Sequence, residues 1–387
     1  MRLKEKARYY LQNIEKYHFG REGFLNYRER IGTTPWYNRQ ADQTAWTGLF
    51  LAAEALRYHI TKKTGAKANC ERMLNFFELQ HKIFGLPLLS RCIHKSAGPY
   101  PGENLDRKHF QGTGEYSDYR LAADVSPDQY TYAFHGMALA WMFFPDFREQ
   151  IRRIVIPMLD RIKRDDYDIH DFDGEETTHG SLRVWLGPVP ASFYSTLKYA
   201  WFMFGELIDP GRYKRTFWKF RLHLYDWLIT WPLVGLGRFK KASNVFYLNT
   251  NLFTLLIVSA KLKNAHIHKR AVKGAGFLWD SVGSDGVPPI CFLAAHFLEG
   301  KDRKEAIEKG MRTLNNFPDD KKYYIDIKEE KKRAYVVSIR ERPVSTVYWK
   351  SSSFEREFRN SDLKCSEKLE YTGVDFLYAY WLSKLVA

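Results

Sequence analysis

Two kinds of predicted helix alternate along this chain, and this alternation limits the fold more than any other feature of the sequence. Segments 42–63 and 128–144 are apolar around most of the helix circumference, which is typical of helices buried on every side. Segments 66–84 and 146–164 separate charged from apolar side chains, as expected of helices with one face in water. The alternation continues through segments 190–206, 211–233, 248–261, 265–279, 287–299, 302–315 and 372–386.

Such a series predicts an all-α protein with the architecture of an (α/α)6 toroid. Roughly six buried helices would form an inner barrel, and roughly six amphipathic helices would wrap it as an outer ring. The N-terminal segment 1–17 has helical spacing and would pair with segment 372–386 to close the ring. We therefore predict a single toroid domain that spans residues 1–387.

Three stretches interrupt the helical pattern and are predicted as insertions. Residues 85–125 form a long loop, and loops of this length in a compact domain are usually functional or disordered. Residues 166–185 are predicted as a β-hairpin that turns at Asp173-Gly174. Acidic residues in this hairpin also suggest a calcium loop, but their spacing does not fit that pattern, which favours the turn. Residues 320–352 contain a second predicted hairpin, with strands at 322–328 and 333–340.

The starts of the predicted inner helices carry the residues that point to chemistry. Asp42 and Asp128 each precede a Gln near the start of a buried helix. In a closed ring all inner helices begin at one mouth of the barrel, so these carboxylates would meet there. Paired carboxylates suit acid/base work on a glycosidic bond, with Asp128 as general acid and Asp42 as general base or transition-state stabiliser. The other reading is that both residues only cap their helices.

Further polar and aromatic residues are predicted to line the same mouth. Trp46, Tyr130 and Tyr132 would stack on sugar rings, and Arg91 and His94 would contact an anionic substituent. His135 lies on the face of Asp128 and is either a second acid/base group or, as we favour, a histidine of the core. The remaining expected substrate-binding residues are Gln43, Gln129, Asn249, Asn251 and Asp375.

Composition excludes several classes of protein. Hydrophobic residues make up 45% of the chain and aromatic residues 16%, which excludes wholesale disorder and supplies a large core. The four cysteines lie far apart, so we expect reduced thiols and neither a disulfide framework nor a zinc site. No nucleotide, P-loop or metalloprotease motif is present, so no cofactor and no metal is expected. The absence of a signal-peptide or transmembrane pattern predicts a soluble, cytoplasmic protein.

The formal net charge is +15, and part of the excess falls in segment 211–241 together with three tryptophans. This basic outer hairpin is either a solvated face, which we favour, or a surface for weak contact with an anionic membrane or an anionic polymer. Nucleic acid is disfavoured because no binding motif accompanies the charge. The residues concerned are Arg212, Lys214, Arg215, Trp218, Lys219, Arg221, Trp227, Trp231, Arg238, Lys240 and Lys241.

Several short motifs resemble those of one superfamily. They are Asp42-Gln43-Thr44, Ser126-Pro127-Asp128-Gln129-Tyr130, Asp171-Phe172-Asp173-Gly174 with Thr178-His179-Gly180, Arg342-Pro343 with Trp349, and Gly373-Val374-Asp375-Phe376 with Tyr380-Trp381. Their order resembles the six-hairpin (α/α)6-toroid proteins, which include glycoside hydrolases, and most closely an uncharacterised bacterial group of that fold. The resemblance implies a cavity at the N-terminal ends of the inner helices, with carboxylate acid/base residues in the hydrolases.

Two hypotheses for function follow from these patterns. In the first, the protein is a glycoside hydrolase-like enzyme that binds a saccharide. The saccharide would be an acidic one if it carries the anionic substituent that Arg91 and His94 are predicted to contact. A lyase or an epimerase fits the same pattern, and a lyase would use a pair such as Tyr132 and His135. In the second, the protein is a non-catalytic toroid that binds a glycan or an isoprenoid, and that contacts a membrane surface through the basic hairpin.

Overall fold

The computed structural model of the protein describes residues 1–29, 37–39, 42–95, 108–183, 191–231, 242–283, 286–315, 317 and 372–386, together with five two-residue strands between residues 323 and 370. Within these ranges the protein is mostly helical, as predicted, with small β-sheets. The helices are α1 (Leu3–Asn13), α2 (Gln43–Thr61), α3 (Thr64–Phe84), α4 (Pro127–Phe143), α5 (Arg148–Arg164), α6 (Ala191–Ile208), α7 (Lys214–Leu222), α8 (Tyr225–Leu228), α9 (Ala242–Lys261), α10 (Ala265–Val282), α11 (Pro288–Ala294), α12 (Gly300–Asn315) and α13 (Val374–Val386).

The strands are short. They are β1 (Tyr27–Glu29), β2 (Tyr37–Arg39), β3 (Cys92–Lys95), β4 (His109–Gln111), β5 (Tyr119–Ala122), β6 (Asp168–His170), β7 (Glu176–Ser181), β8 (Tyr323–Tyr324), β9 (Val336–Val337), β10 (Glu355–Arg356), β11 (Lys364–Cys365) and β12 (Leu369–Glu370).

The chain forms two compact units. The first contains Met1–Lys16, Val184–Met203 and Lys214–Ala387, and the second contains Tyr17–Arg183 and Phe204–Tyr213. The helices given above confirm the mostly helical class. The closure of one ring through all of these helices stays a prediction.

The centre of the second unit is the contact between α2 and α4. Every residue of α2 from Gln43 to Arg57 is buried, and so is every residue of α4 from Gln129 to Ala140. These helices are apolar on most sides because protein encloses them. A Cβ on Gly48 would lie 2.4 Å from the carbonyl carbon of Tyr132, and one on Gly136 would lie 2.3 Å from the oxygen of Gly48. Only glycine permits so close an approach of two backbones.

The two helices run in the same direction. The start of α2 meets the start of α4 through a hydrogen bond between Asp42 and Gln129. Near their ends, the rings of Tyr58 and Phe144 lie 4.4 Å apart, centroid to centroid. Helices α3 and α5 follow α2 and α4 and bury one apolar face each, with charged residues on the other, so they are the amphipathic helices of the pattern.

Part of the predicted long loop 85–125 is instead a three-stranded antiparallel sheet. Strand β5 lies between β3 and β4, with Leu121 opposite both Ile93 and Phe110. The start of α2 is attached to this sheet, because the Ile93 amide donates to Oε1 of Gln43 at 2.9 Å and the Thr44 amide donates to the Arg91 carbonyl at 3.2 Å. The sheet therefore fixes the position of Arg91 beside the helix start.

The predicted hairpin at residues 166–185 is confirmed as β6 and β7. Gly174 adopts φ 87°, the left-handed conformation that a tight turn requires, and its amide donates to the Asp171 carbonyl at 3.1 Å. Phe172 in this turn packs against Phe84 and Phe110, with ring centroids 4.8 and 5.6 Å apart. These contacts hold the turn against α3 and the three-stranded sheet.

The first unit has a core of its own around α1 and α13. The ring of Tyr10 lies 5.0 Å from that of Phe376, which lies 5.4 Å from that of Phe317. Lys6 is buried, and its ammonium donates to the carbonyls of Asn315, the last residue of α12, and of Phe317, just beyond it. A buried lysine is tolerated because these acceptors replace its water. The predicted pairing of the first and last helices is thus present within this unit.

Some elements differ from the prediction. The segment 211–233 is two helices, α7 and α8, because Leu224 between them adopts a left-handed φ of 57°. Most of the predicted hairpin at 322–340 lies outside the described residues, and of its described parts β8 pairs with β11 and β9 with β10. Arg238, Lys240, Lys241, Arg342, Pro343 and Trp349 also lie outside the described residues.

Candidate functional site

Asp42 stands immediately before α2 and holds an unusual backbone conformation. Its φ of 53° and ψ of 32° are left-handed, which an aspartate adopts at a cost of roughly 1 kcal/mol or more. In the described part of the chain its carboxylate does not hydrogen-bond the amides of its own helix. Its Oδ1 instead accepts from Arg91 Nη2 at 2.6 Å and from Gln129 Nε2 at 2.7 Å. The carboxylate is thus held by other elements and does not cap α2.

Arg91 connects the starts of α2 and α4. Besides Asp42, its guanidinium donates through Nη1 to the Asp124 carbonyl at 2.8 Å and to Ser126 Oγ at 3.3 Å. The side chains of Arg91 and Asp42 are only 13% and 14% exposed, so their ion pair is largely shielded from water. The sequence predicted that Arg91 contacts an anionic ligand. In the structure, both Nη groups of Arg91 donate hydrogen bonds to acceptors within the protein.

Asp128 lies in the first turn of α4, after the N-cap Ser126 and Pro127. The Ser126 hydroxyl donates to Asp128 Oδ1. Burial and the negative charge of Asp42 raise the pKa of Asp128, while the Ser126 hydrogen bond, the charge of Arg91 and the residue's own amide oppose the rise. Asp128 nevertheless keeps part of its surface accessible. The two aspartates are thus linked through Arg91 and Ser126, and their meeting at one mouth of a barrel stays a prediction.

Two further aspartates, which sequence reasoning did not select, lie around Arg91. The Asp124 amide donates to both carboxylate oxygens of Asp171, at 3.0 and 3.1 Å, and Asp124 Oδ1 accepts from the Thr178 amide at 2.8 Å. Asp124 has a left-handed φ of 61°. Burial raises the pKa of Asp171. These contacts join the β6–β7 turn to the loop before α4. The acidic sequence beside Asp173-Gly174 was the sequence feature that could have indicated the two aspartates.

The two glutamines beside the aspartates have different tasks. Gln43 is buried and joins Asn26 to β3, since its Nε2 donates to Asn26 Oδ1 at 2.7 Å and its Oε1 accepts from Ile93. Gln129 is buried too, and its Nε2 holds Asp42. Oε1 of Gln129 has no hydrogen-bond partner among the described residues. Gln129 thus contacts the aspartate cluster, whereas Gln43 connects Asn26 to strand β3.

The aromatic residues expected as stacking walls are enclosed by protein. Trp46, Tyr130 and Tyr132 are all buried, and the Tyr130 hydroxyl accepts from the Leu89 amide at 3.3 Å. His94 is buried on β3. His135 is completely buried, and burial lowers its pKa to about 3, so it is neutral in the folded protein. This is the environment of the core histidine that we favoured from the sequence.

The other predicted site residues belong to the first unit. Asn251 Oδ1 accepts from Trp201 Nε1 at 3.1 Å, and Asp375 Oδ1 accepts from the Phe376 amide at 2.9 Å. Asn249 is buried on α9, and neither of its amide atoms has a hydrogen-bond partner in the described ranges. That these three residues share a mouth with Asp42 stays a prediction.

Neither a cluster of metal ligands nor a membrane-spanning helix occurs in the described ranges. No group of three or more His, Cys, Asp or Glu side chains there is arranged to hold a metal ion. Cys70, Cys92 and Cys291 are reduced and buried. None of the described helices has both the length and the apolar content needed to cross a bilayer. Comparison with models of protein families and with curated proteins found no match to the chain.

Proposed function

We propose that the second unit carries a saccharide-cleaving site of the glycoside hydrolase type, with Asp128 as general acid and Asp42 as its anionic partner. The observation that carries the proposal is the unequal environment of the two carboxylates. Burial and the charge of Asp42 raise the pKa of Asp128, while Asp42 is paired with Arg91. Environments that differ in this way separate a proton donor from an anion, as glycosidic bond cleavage requires.

The chemistry assigns one step to each carboxylate. As the glycosidic C–O bond breaks, its oxygen leaves as an alcohol only if it receives a proton, which Asp128 donates from its protonated form. Positive charge develops on the sugar ring at the same time, and the carboxylate of Asp42 stabilises it. The reaction is hydrolysis: water adds to the sugar carbon and loses one proton, which returns to the Asp128 carboxylate and restores its acid form.

The surrounding contacts support a fixed geometry for Asp42. Two donors on one oxygen, from Arg91 and Gln129, restrict the rotation of its side chain, and the left-handed backbone places that side chain toward α4. A preorganised charge stabilises a transition state without the cost of reorienting during the reaction. In this account Arg91 is a positioning residue, and the saccharide is not required to be acidic.

A lyase mechanism through Tyr132 and His135 has less support. His135 is enclosed on all sides, and its pKa of about 3 makes it a very weak base. Burial also separates Tyr132 from solvent. A proton-transfer pair must reach the substrate, so the partly accessible Asp128 is the better candidate.

The packing of α2 and α4 supports the toroid as the architecture around this site. In an (α/α)6 toroid, adjacent inner helices run parallel and each is followed by an outer helix of opposite direction. Helices α2 and α4 are parallel and buried, while α3 and α5 are amphipathic. The aspartates lie at the N-terminal ends of the two buried helices, which is where we propose that the saccharide binds.

The test measures the release of new reducing ends from a panel of neutral and uronic-acid-containing oligosaccharides. The variants are Asp128→Asn and Asp42→Asn, with Asp173→Asn as a matched aspartate control in the β6–β7 turn. We expect Asp128→Asn to lower the rate on a cleaved substrate by at least about 100-fold, the usual contribution of a general acid, and the control to retain the wild-type rate. Full turnover by folded Asp128→Asn and Asp42→Asn proteins would discard the carboxylate mechanism.

A further inference from the structure

The exposed apolar side chains of the protein concentrate in one segment of the first unit. Five of the eight large hydrophobic residues that are exposed in the described part of the chain lie between Lys214 and Trp231. They are 42% to 64% exposed, and they are Trp218, Leu222, Leu224, Trp227 and Trp231. Exposed apolar residues scattered singly need no explanation, but such a concentration indicates a binding surface.

The charge of the same segment is entirely of one sign at the surface. Lys214, Arg215, Lys219 and Arg221 are exposed. Asp226 is the only acidic residue between positions 214 and 231, and it is buried, with His266 Nε2 2.8 Å from its Oδ2. We call the five apolar residues and these four cations the Trp218 surface.

The Trp218 surface is supported by a rigid base. Phe220, on the opposite face of α7, is buried and packs against Tyr199 and Phe202, with ring centroids 5.3 and 5.9 Å apart. The guanidinium carbon of Arg270 lies 3.7 Å from the centroid of the Trp227 ring. This cation–π contact adds a fifth positive charge beside the surface and fixes the orientation of Trp227. The apolar side chains are therefore presented to solvent in the folded state, and not by local unfolding.

We propose that the Trp218 surface binds the anionic phospholipid surface of a membrane. Trp is the side chain most suited to the headgroup region, because its large apolar ring carries one polar N–H. Leu222 and Leu224 would enter the boundary of the acyl chains, and the four cations would lie at the level of the lipid phosphates. Both contributions come from one short segment, so the protein would bind at the periphery of the bilayer.

The comparison with α12 distinguishes this surface from an ordinary solvated helix face. Along α12, Lys301 and Lys304 alternate with Asp302 and Glu305, and large apolar residues are absent from this exposed stretch. Charges of both signs maintain solubility without attracting a partner. The Trp218 surface has neither property, because its charges are all positive and its apolar residues are exposed.

The test is flotation with vesicles of phosphatidylcholine alone and of phosphatidylcholine with about one third phosphatidylserine. We expect the full chain to float with the anionic vesicles only, and to be released by salt of about 1 M, which screens the charges. Lys219→Glu with Arg221→Glu is expected to weaken partitioning by about thirtyfold or more, and Trp218→Ser with Leu222→Ser by about tenfold. Lys301→Glu with Lys304→Glu makes the same change in net charge on α12 and is the control.

Three results would overturn the proposal. The first is no flotation of the wild-type protein, or equal flotation with both kinds of vesicle. The second is an equal loss in the α12 control, which would indicate a response to net charge alone. The third is a change of oligomeric state in the Trp218→Ser/Leu222→Ser protein with unchanged flotation, which would assign the surface to contact between copies of the chain. Circular dichroism shows whether each variant is folded, so a loss of vesicle binding that results from unfolding is distinguished from a loss of the surface itself.

Discussion

Arg91 donates from Nη2 to Oδ1 of Asp42 at 2.6 Å, and this ion pair lies where α2, α4 and the three-stranded sheet meet. The same guanidinium also donates to the Asp124 carbonyl and the Ser126 hydroxyl. One side chain thus positions both candidate carboxylates, Asp42 directly and Asp128 through Ser126.

Arg91→Ala is expected to lower the free energy of unfolding by about 3 kcal/mol, because it leaves a shielded carboxylate without its cation. Arg91→Lys keeps the charge but cannot reach three acceptors at once, so an intermediate loss is expected. Chemical denaturation measures both. The control is Arg2→Ala, which removes an exposed pair with Glu5 and should change stability by less than about 0.5 kcal/mol. Similar losses for Arg91→Ala and Arg2→Ala would contradict the organising role of Arg91.

Gly48→Ala and Gly136→Ala test the close contact of α2 with α4. Each new methyl would lie within 2.4 Å of a backbone atom of the other helix, so the helices must separate. We expect each variant to lose about 3 kcal/mol or more of stability. Gly65→Ala on α3 meets no atom within 4 Å and should gain about 0.5–1 kcal/mol from the better helix propensity of alanine. Equal melting temperatures for Gly48→Ala and Gly65→Ala in thermal unfolding would contradict the close contact of α2 with α4.

Asp128→Asn is expected to remove activity without lowering stability at neutral pH. A carboxyl whose pKa is raised on folding binds its proton more tightly in the folded state, so the folded protein loses stability as pH rises through the raised pKa. Asparagine removes that cost and the repulsion with Asp42, and its side-chain oxygen still accepts from Ser126. A melting temperature at pH 7 equal to or above that of the wild type is predicted. A clear decrease would indicate that Asp128 is a structural residue.

His135 gives the stability of the protein a pH dependence of the opposite sign. Its pKa is about 3 in the folded protein against 6.5 ordinarily, so the unfolded chain binds more protons between these values. Acidification from pH 7 to 5 should therefore cost roughly 2 kcal/mol through His135 alone. His135→Gln should reduce this dependence more than His179→Gln, the same substitution at an exposed position. An identical pH dependence in both variants would show that His135 does not control acid stability.

The sequence predicted the helices well because their signals are periodic and long. Segment 128–144 was predicted as buried on all sides, and α4 is enclosed from Gln129 to Ala140. The sheet within residues 85–125 was missed because its strands are three or four residues long and are paired across sequence gaps. Strands this short carry almost no alternating pattern. The break at Leu224 was missed because a left-handed leucine has no sequence signature.

The candidate site was predicted in part. The shared Asp-Gln pattern at two helix starts predicted that Asp42 and Asp128 lie close together, and both contact the Arg91 network, Asp42 directly and Asp128 through Ser126. The role of Arg91 could not be predicted, because its three acceptors come from residues 42, 124 and 126 and depend on tertiary packing. Trp46, Tyr130 and Tyr132 were predicted as stacking walls although their helices were predicted as buried, and the structure encloses all three, since a ring at a helix start fits a core as well as a binding wall.

The most direct test of the account is a titration of the aspartate carboxyl groups by carbon-13 NMR in protein labelled selectively at aspartate Cγ. We predict that two wild-type carboxyls, those of Asp128 and Asp171, titrate above the ordinary aspartate range. One of these two signals should be absent in Asp128→Asn, and the pKa of the same carboxyl should fall in Asp42→Asn because a neighbouring negative charge is removed. Persistence of both high-titrating signals in Asp128→Asn, or a signal of Asp128 that is unaffected by Asp42→Asn, would contradict the assignment of Asp128 as the proton donor.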